Sequence, residues 1–312
     1  MKYRIKHVVE YGLLRTVDLL VRWLPERAAL ATGWVLAALA FHLVRFRRAE
    51  AERRIAQVFG SRYSRREITR IAAHALRNLF FNAIELMRLD RMGPDWLARH
   101  LDHGGLPEQV ARHAPDTGAI VVVPHMGNWD LAGVAARQLG LPIFAIAARQ
   151  KNPLVDAWLN RRRSFTGVEM VERDVGAARK VIRHLRAGHV LAFMTDLRSR
   201  TPALRIRFLG QEANVVGGLG LFARQTGVPI IPVLIYRDGW THHRWQVAAP
   251  LRTDPALTKD QDAQRMTQAV MDIFDAAIRA APEQFFWYNK RWVLDPLEEL
   301  PMAPKQEGKV TP

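Results

Sequence analysis

The 312-residue chain contains no cysteine. Disulfides, thiolate zinc sites and cysteine nucleophiles are excluded together. Acidic residues are in short supply: 30 Asp and Glu stand against 46 Lys and Arg, a net charge of +16. Such an excess favours anionic partners, whether lipid headgroups, an acidic protein or nucleic acid. No Gly-rich loop matches a dinucleotide or P-loop fingerprint, since GGLGLF at 217–222 lacks both the glycine spacing and the Lys-Ser/Thr ending. A secretory signal pattern is missing too, because no small-residue cleavage site follows the apolar part of the N-terminus. The apolar segment there, Ala28 to Val44, carries no formal charge in its 17 residues. As a helix it reaches about 25 Å, slightly short of a roughly 30 Å hydrocarbon core.

Arginines flank that segment: Arg15, Arg22 and Arg27 before it, and Arg45, Arg47, Arg48, Arg53 and Arg54 after it. Two readings are open, a buried core helix or a membrane-embedded or marginally spanning helix with its arginines among headgroups. The flanking charges favour the second. With arginines on both sides, the positive-inside rule gives no orientation.

Residues 1–60 form a basic N-terminal region around this helix. Residues 63 to about 115 keep apolar positions at helical spacing and open on a serine cap. From residue 118 the period changes. Short β-rich runs such as AIVVVPH, LPIFAIAAR, HVLAFMTD and VPIIPVLIY alternate with amphipathic stretches. This alternation predicts an α/β fold with a mainly parallel sheet flanked by helices, occupying 61–296. A last helix spans roughly Lys259 to Ala280, and 297–312 reads as a flexible tail.

The run from Val121 to Asp130, VVVPHMGNWD, carries the chemistry. A strand ends in His125, Gly127 and Asn128 permit a tight turn, and Asp130 falls in the first turn of the next helix. No Ser or Cys lies nearby to act as nucleophile. What remains is an imidazole that deprotonates an external nucleophile, with a carboxylate holding its tautomer. His-X4-Asp alone is a weak pattern. Asp196 ends a second predicted strand and is a rival partner for His125 if the two strands are neighbours.

Read with its surroundings, HMGNWD resembles the lipid A biosynthesis late acyltransferase family, the lauroyl and myristoyl transferases. These are related to the bacterial phosphatidylinositol mannoside acyltransferases. Further blocks follow in that family's order: Arg149 to Asp156 with Arg161, Arg162 and Arg163; Met194-Thr195-Asp196; Phe208-Leu209-Gly210; ARQTGVPIIP at 223–232; and PEQFFWYNKRW at 282–292. The resemblance covers roughly residues 5–295. The chain departs from it in carrying Asp130 where many members have Glu, and Leu197 and Arg198 after Asp196.

The resemblance implies a glycerolipid-acyltransferase-like fold and transfer of a fatty acyl group from a thioester to a hydroxyl of a lipid A precursor. His125 is then the general base, with Asp130 and Asp196 as its catalytic neighbours. Substrate binding falls to Arg149, Asn128, Arg161, Arg162 and Arg163, with Arg149 also a candidate oxyanion donor. Acyl carrier protein or coenzyme A supplies the thioester as co-substrate, and no cofactor or metal is required. The implied setting is the cytoplasmic face of a bacterial inner membrane, on an anionic surface. Another glycolipid or lysophospholipid acceptor is the alternative. A non-enzymatic basic protein binding membrane or nucleic acid is a remote one, since no nucleic-acid motif is present. His242 and His243 are not a metal pair, because successive strand residues face opposite ways. Trp287, Tyr288 and Trp292 read as core or interface aromatics.

Overall fold

A computed structural model describes residues 3–147, 150–165, 167–172, 176–199 and 203–295, without the side chains of 147 and 163–165. The N-terminal third is helical: α1 (Ile5–Trp23), α2 (Glu26–His42), α3 (Arg48–Phe59), α4 (Arg65–Met87), α5 (Pro94–His100) and α6 (Leu106–His113). Helix α4 starts at the predicted serine. The Ser64 amide donates to the Glu67 carboxylate at 2.8 Å while the Ser64 hydroxyl accepts the Glu67 amide, a reciprocal cap. Strands and helices then alternate. The helices are α7 (Trp129–Gln138), α8 (Pro153–Phe165), α9 (Ala177–Arg186), α10 (Gly218–Thr226) and α11 (Lys259–Ala280).

The strands are β1 (Leu101–Asp102), β2 (Ala119–Val122), β3 (Ile143–Ala147), β4 (Glu169–Glu172), β5 (Val190–Phe193), β6 (Leu204–Phe208), β7 (Gln211–Val215), β8 (Ile230–Asp238) and β9 (His242–Val247). Seven of them form one sheet in the order β1-β9-β8-β2-β5-β3-β4, and all its pairs are parallel except β8–β9. The expected α/β architecture is therefore present. Strands β6 and β7 stand apart as an antiparallel hairpin.

Strand β2 lies near the centre with all four residues buried, which is why it reads as an unbroken apolar run. Its side chains alternate between two cores. Ile120 and Val122 join α3, α4, α10 and α11, whereas Val121 and Val123 join α5, α6 and α7. The first core also encloses Trp287, Tyr288 and Trp292, so the C-terminal aromatics are core residues.

The N-terminal apolar segment needs correction. No helix among the described residues is long and apolar enough to cross a membrane. Helix α2 packs Leu30, Gly33, Ala37 and Phe41 inward. At Gly33 the approach to α4 is so close that a Cβ would stand 2.9 Å from Ile84 Cγ1. The opposite face shows Trp34, Val35 and Leu39 to the outside. The uncharged run thus serves a packed face and an exposed face at once, which hydropathy summed along the chain does not separate. Several flanking arginines are also tied inward. Arg54 is buried and donates to the carbonyls of Trp287 and Asn289, both at 2.7 Å, and Arg22 meets Asp90 at 2.5 Å.

Candidate active site

Strands β2 and β5 are parallel neighbours, paired from Ala119 with Val190 to Val122 with Phe193. Continuing that register three residues past both strands sets His125 beside Asp196. The contact follows directly: His125 Nδ1 lies 2.8 Å from Asp196 Oδ1, and the His125 amide donates to Asp196 Oδ2 at 2.7 Å. The Asp196 side chain is almost fully buried. A carboxylate can only accept here, so the ring proton belongs on Nδ1, and Nε2 keeps its lone pair. The ring is flanked by Trp129, edge-on at 5.2 Å between centroids, and by Phe286 at 6.3 Å.

Asp130 takes no part in this hydrogen bond. It sits in the first turn of α7, at the mouth of the cavity described below. Both carboxylates named from the sequence are therefore near the histidine, and Asp196 is the one that holds it.

The loop carrying His125 is fixed on every side. Gly127 adopts φ +60°, and a Cβ there would collide with the carbonyl oxygen of Ile235, so only glycine fits. The carbonyl of His125 accepts the Phe286 amide at 3.0 Å, and the Gly127 amide donates to the Gln284 carbonyl at 3.1 Å. Asn82 on α4 donates to the Gly127 carbonyl at 2.6 Å.

Asn128 is committed at both ends. Its Oδ1 accepts the Leu131 amide at 3.0 Å, capping α7, and its Nδ2 donates to Glu85 Oε2 at 2.6 Å. Expected to bind substrate, it is instead buried at 1% exposure as part of the scaffold.

Glu85 organises a second polar cluster that the sequence did not reveal. Arg237 donates to both its oxygens, through Nη1 at 2.6 Å and through Nη2, and His243 Nε2 lies 3.2 Å from Oε1. Arg237 also donates to Asn82 Oδ1 and the Trp240 carbonyl, both at 2.8 Å. Burial works to raise the Glu85 pKa, but the Arg237 and His243 charges and their hydrogen bonds outweigh it and hold the carboxyl far below its usual range. The one available signal was a glutamate on the apolar face of α4, one turn after Asn82.

The remaining predicted residues divide. Arg162 donates to buried Asp18 on α1 at 2.8 Å and lies 3.5 Å from Asp90, so it ties α8 to the N-terminal helices away from the histidine. Asn152 likewise bonds Glu10 at 2.9 Å and caps α8 through the Leu154 amide. Arg161 is exposed to solvent. Arg149 and the side chain of Arg163 lie outside the described residues. His242 is exposed and His243 buried, the alternation expected of successive strand residues. Among the described residues, Glu169, His184 and His189 bring ligand-type atoms within 4.8 Å of one another, and His184 Nε2 already sits 3.3 Å from Glu169.

An apolar cavity of about 670 Å³ opens beside His125. His125, Trp129, Asp130, Gln150 and Arg291 rim it, and Val121, Val123, Ile143 and Ala145 of the sheet form one wall. Helix α7 forms the other with Ala132, Gly133 and Ala136. From His125 down to Val121 the strand rise gives a depth of about 13 Å. The arrangement is an apolar slot with a hydrogen-bonded imidazole at its rim, suited to a long hydrocarbon whose reactive end stays at the mouth.

Over residues 2–293 the chain matches the bacterial lipid A biosynthesis acyltransferase family. A phosphatidylinositol mannoside acyltransferase of Mycobacterium tuberculosis is 28% identical over 218 residues, covering 68% of this chain and 66% of that protein. One from Mycolicibacterium smegmatis is also 28% identical, over 219 residues, 64% of this chain and 67% of the relative. A lipid A biosynthesis acyltransferase of Haemophilus influenzae is 24% identical over 185 residues, 59% of this chain and 56% of the relative. The chain thus spans about two thirds or less of the length of these relatives.

Proposed function

The chain belongs to the bacterial lipid A biosynthesis acyltransferase family, and from that premise we propose that it transfers a fatty acyl group from a thioester to a hydroxyl of a membrane glycolipid, with His125 as general base. The observation that carries this reading is the pairing of His125 with Asp196 at the rim of an apolar cavity. Nε2 takes the proton of the acceptor hydroxyl as its oxygen bonds to the thioester carbonyl carbon. The tetrahedral intermediate then collapses, the carbon–sulfur bond breaks, and the departing thiolate takes the proton back from the imidazolium. Asp196 keeps the ring in the working tautomer and stabilises the imidazolium.

The developing oxyanion needs donors, and the first amides of α7, at Trp129 and Asp130, are the backbone candidates, with Arg149 as a side-chain option. Asp130, facing the same mouth, is placed to receive the hydroxyl-bearing headgroup. The thioester comes on a phosphopantetheine arm, from acyl carrier protein or coenzyme A, and no cofactor is needed in this scheme.

The acceptor lies in a membrane, and the N-terminal helices give a surface that meets it. Helix α1 exposes Val9, Leu13, Leu20 and Trp23, the last at 85%, and α2 exposes Trp34 and Leu39. Lys6 and Arg27 are exposed on these helices, and Arg4 and Arg45 are exposed just before α1 and just after α2. In this reading α1 and α2 lie on the anionic cytoplasmic leaflet of the inner membrane without crossing it.

A phosphatidylinositol mannoside-like acceptor is the second reading, favoured by the higher identity to the mycobacterial relatives than to the Haemophilus one. Mass spectrometry of membrane glycolipids from cells with and without the gene separates the two. A single acyl mass missing from lipid A in the deletion strain supports the first, and the same loss from another glycolipid supports the second. Unchanged glycolipids overturn both.

A further inference from the structure

Helix-interior glycines usually have a visible reason. In α2, a Cβ on Gly33 would press on Ile84, and in α10 a Cβ on Gly220 would stand 2.5 Å from the Ala263 Cα. Gly12 of α1 lies on an exposed face, where an added Cβ also meets nothing within 4 Å, but it does not line the cavity. Gly133 differs from all three. It sits in the middle of α7, lines the cavity, and a Cβ built on it meets nothing within 4 Å. The protein itself does not require the side chain to be absent. Glycine inside a helix weakens that helix relative to alanine, so the empty position is kept against local stability.

Its neighbours share the pattern. Trp129, Ala132, Gly133 and Ala136 fall at i, i+3, i+4 and i+7, one face of the helix, and all line the cavity. Leu131 and Ala135 turn to the core that also holds Leu97 and Met92, and Val134 belongs to that core while also lining the cavity. Below Trp129 the helix wall is thus built mainly from Ala132, Gly133 and Ala136, with Val134 beside them, while the sheet wall across from it carries Val121, Val123 and Ile143 beside Ala145. Gly133 stands about 6 Å below Trp129 along the helix axis, and Ala136 about 4.5 Å further down.

We propose that Gly133, with Ala132 and Ala136 beside it, sets the bore of the cavity and so the length of acyl chain the protein accepts. This rests on the acyl-transfer reading above, in which the cavity holds the hydrocarbon. Because α7 descends from the mouth, obstruction at 133 cuts the usable depth more than obstruction at 136. The two positions therefore act as successive marks on one scale.

The test uses the full-length protein in detergent micelles and a fluorescent fatty acid displaced by saturated fatty acids from hexanoate to palmitate. Gly133→Leu should weaken laurate, myristate and palmitate by about tenfold or more, while hexanoate stays within about threefold of the native protein. Ala136→Leu should move the cutoff to a longer chain than Gly133→Leu does, and it serves as the second probe if the leucine at 133 lowers the melting temperature. Gly133→Ala should raise the melting temperature and leave the length profile nearly unchanged. An identical chain-length profile in the native protein and in a folded Gly133→Leu or Ala136→Leu variant overturns the inference, as does a native protein that binds none of these acids. Turnover of both acyl-coenzyme A and acyl carrier protein thioesters is measured in parallel. Length-dependent binding that shifts with the variants, without turnover of any thioester, leaves the bore assignment standing and sinks the acyl-transfer reading instead.

Discussion

Two buried carboxylates flank the loop that carries His125, and they are used in opposite ways. Glu85 is saturated: Arg237 takes both oxygens, and His243 and Asn128 add a donor to each. Among the described residues Asp196 hydrogen-bonds His125 alone, through its amide and its Nδ1, and His125 itself lines the cavity. A fully satisfied charge cluster has no capacity left for a substrate and serves geometry. A cluster with one open valence at a cavity mouth has capacity for chemistry. The same loop joins them, because Asn82 and Asn128 pass the Glu85–Arg237 constraint to Gly127 and to the start of α7.

The sharpest way to break this contrast is at the open cluster. His125→Ala should lower acyl transfer by about 10²–10⁴ with little change in melting temperature, measured as thiol release from an acyl thioester with membrane lipid present. Asp196→Ala should act in the same direction through the tautomer and orientation of the ring. Retained turnover in either variant removes the base assignment.

The closed cluster should respond in stability first. Glu85→Ala leaves Arg237 buried and unpaired, at about 3–5 kcal/mol, read from denaturant midpoints. Replacing both partners, Glu85→Gln with Arg237→Met, should cost less than the sum of the single changes. A strictly additive double variant would show that the two side chains do not act as a pair.

Acid titration separates the clusters further. The folded-state pKa of Glu85 is depressed, so its contribution to stability is fully present above the unfolded value of about 4.3 and declines as pH falls below that toward the folded value. The native protein should lose stability between about pH 4 and pH 2, and the double variant should show a shallower slope there. Equal slopes would assign the acid sensitivity to other groups. A smaller effect is expected at Asp130. Asp130→Asn should cost less activity than Asp196→Asn, since it does not hold the ring, and a larger loss at 130 would reverse the two assignments.

The sequence showed the ends of this comparison and not the links. His125 and Asp196 were both legible because each ends an apolar run at the same edge of a parallel sheet. Which carboxylate holds the ring was not legible, because it depends on β2 and β5 being adjacent and in register, and strand order is not written in periodicity. Asp130 was the nearer candidate in sequence, yet the helical turn after Asn128 carries it to the cavity mouth. Arg162 looked like an anion site because its partner, Asp18, lies 144 positions away. Glu85 and Arg237 are separated by 152 positions and appeared only as polar exceptions on apolar elements. The segment from Ala28 to Val44 was legible as apolar but not as too short to cross a membrane with one face packed, because its division between a face against α4 and a face outward needed the partner helix.

Whether His125 and Asp196 act as one catalytic unit is read from a double-mutant cycle. Acyl transfer by purified His125→Ala, Asp196→Ala and the double variant should be measured against the native protein under single-turnover conditions. A unit predicts that the double variant is no slower than the slower single variant, within about threefold. Losses that multiply, or a His125→Ala protein that turns over at the native rate, would contradict the account.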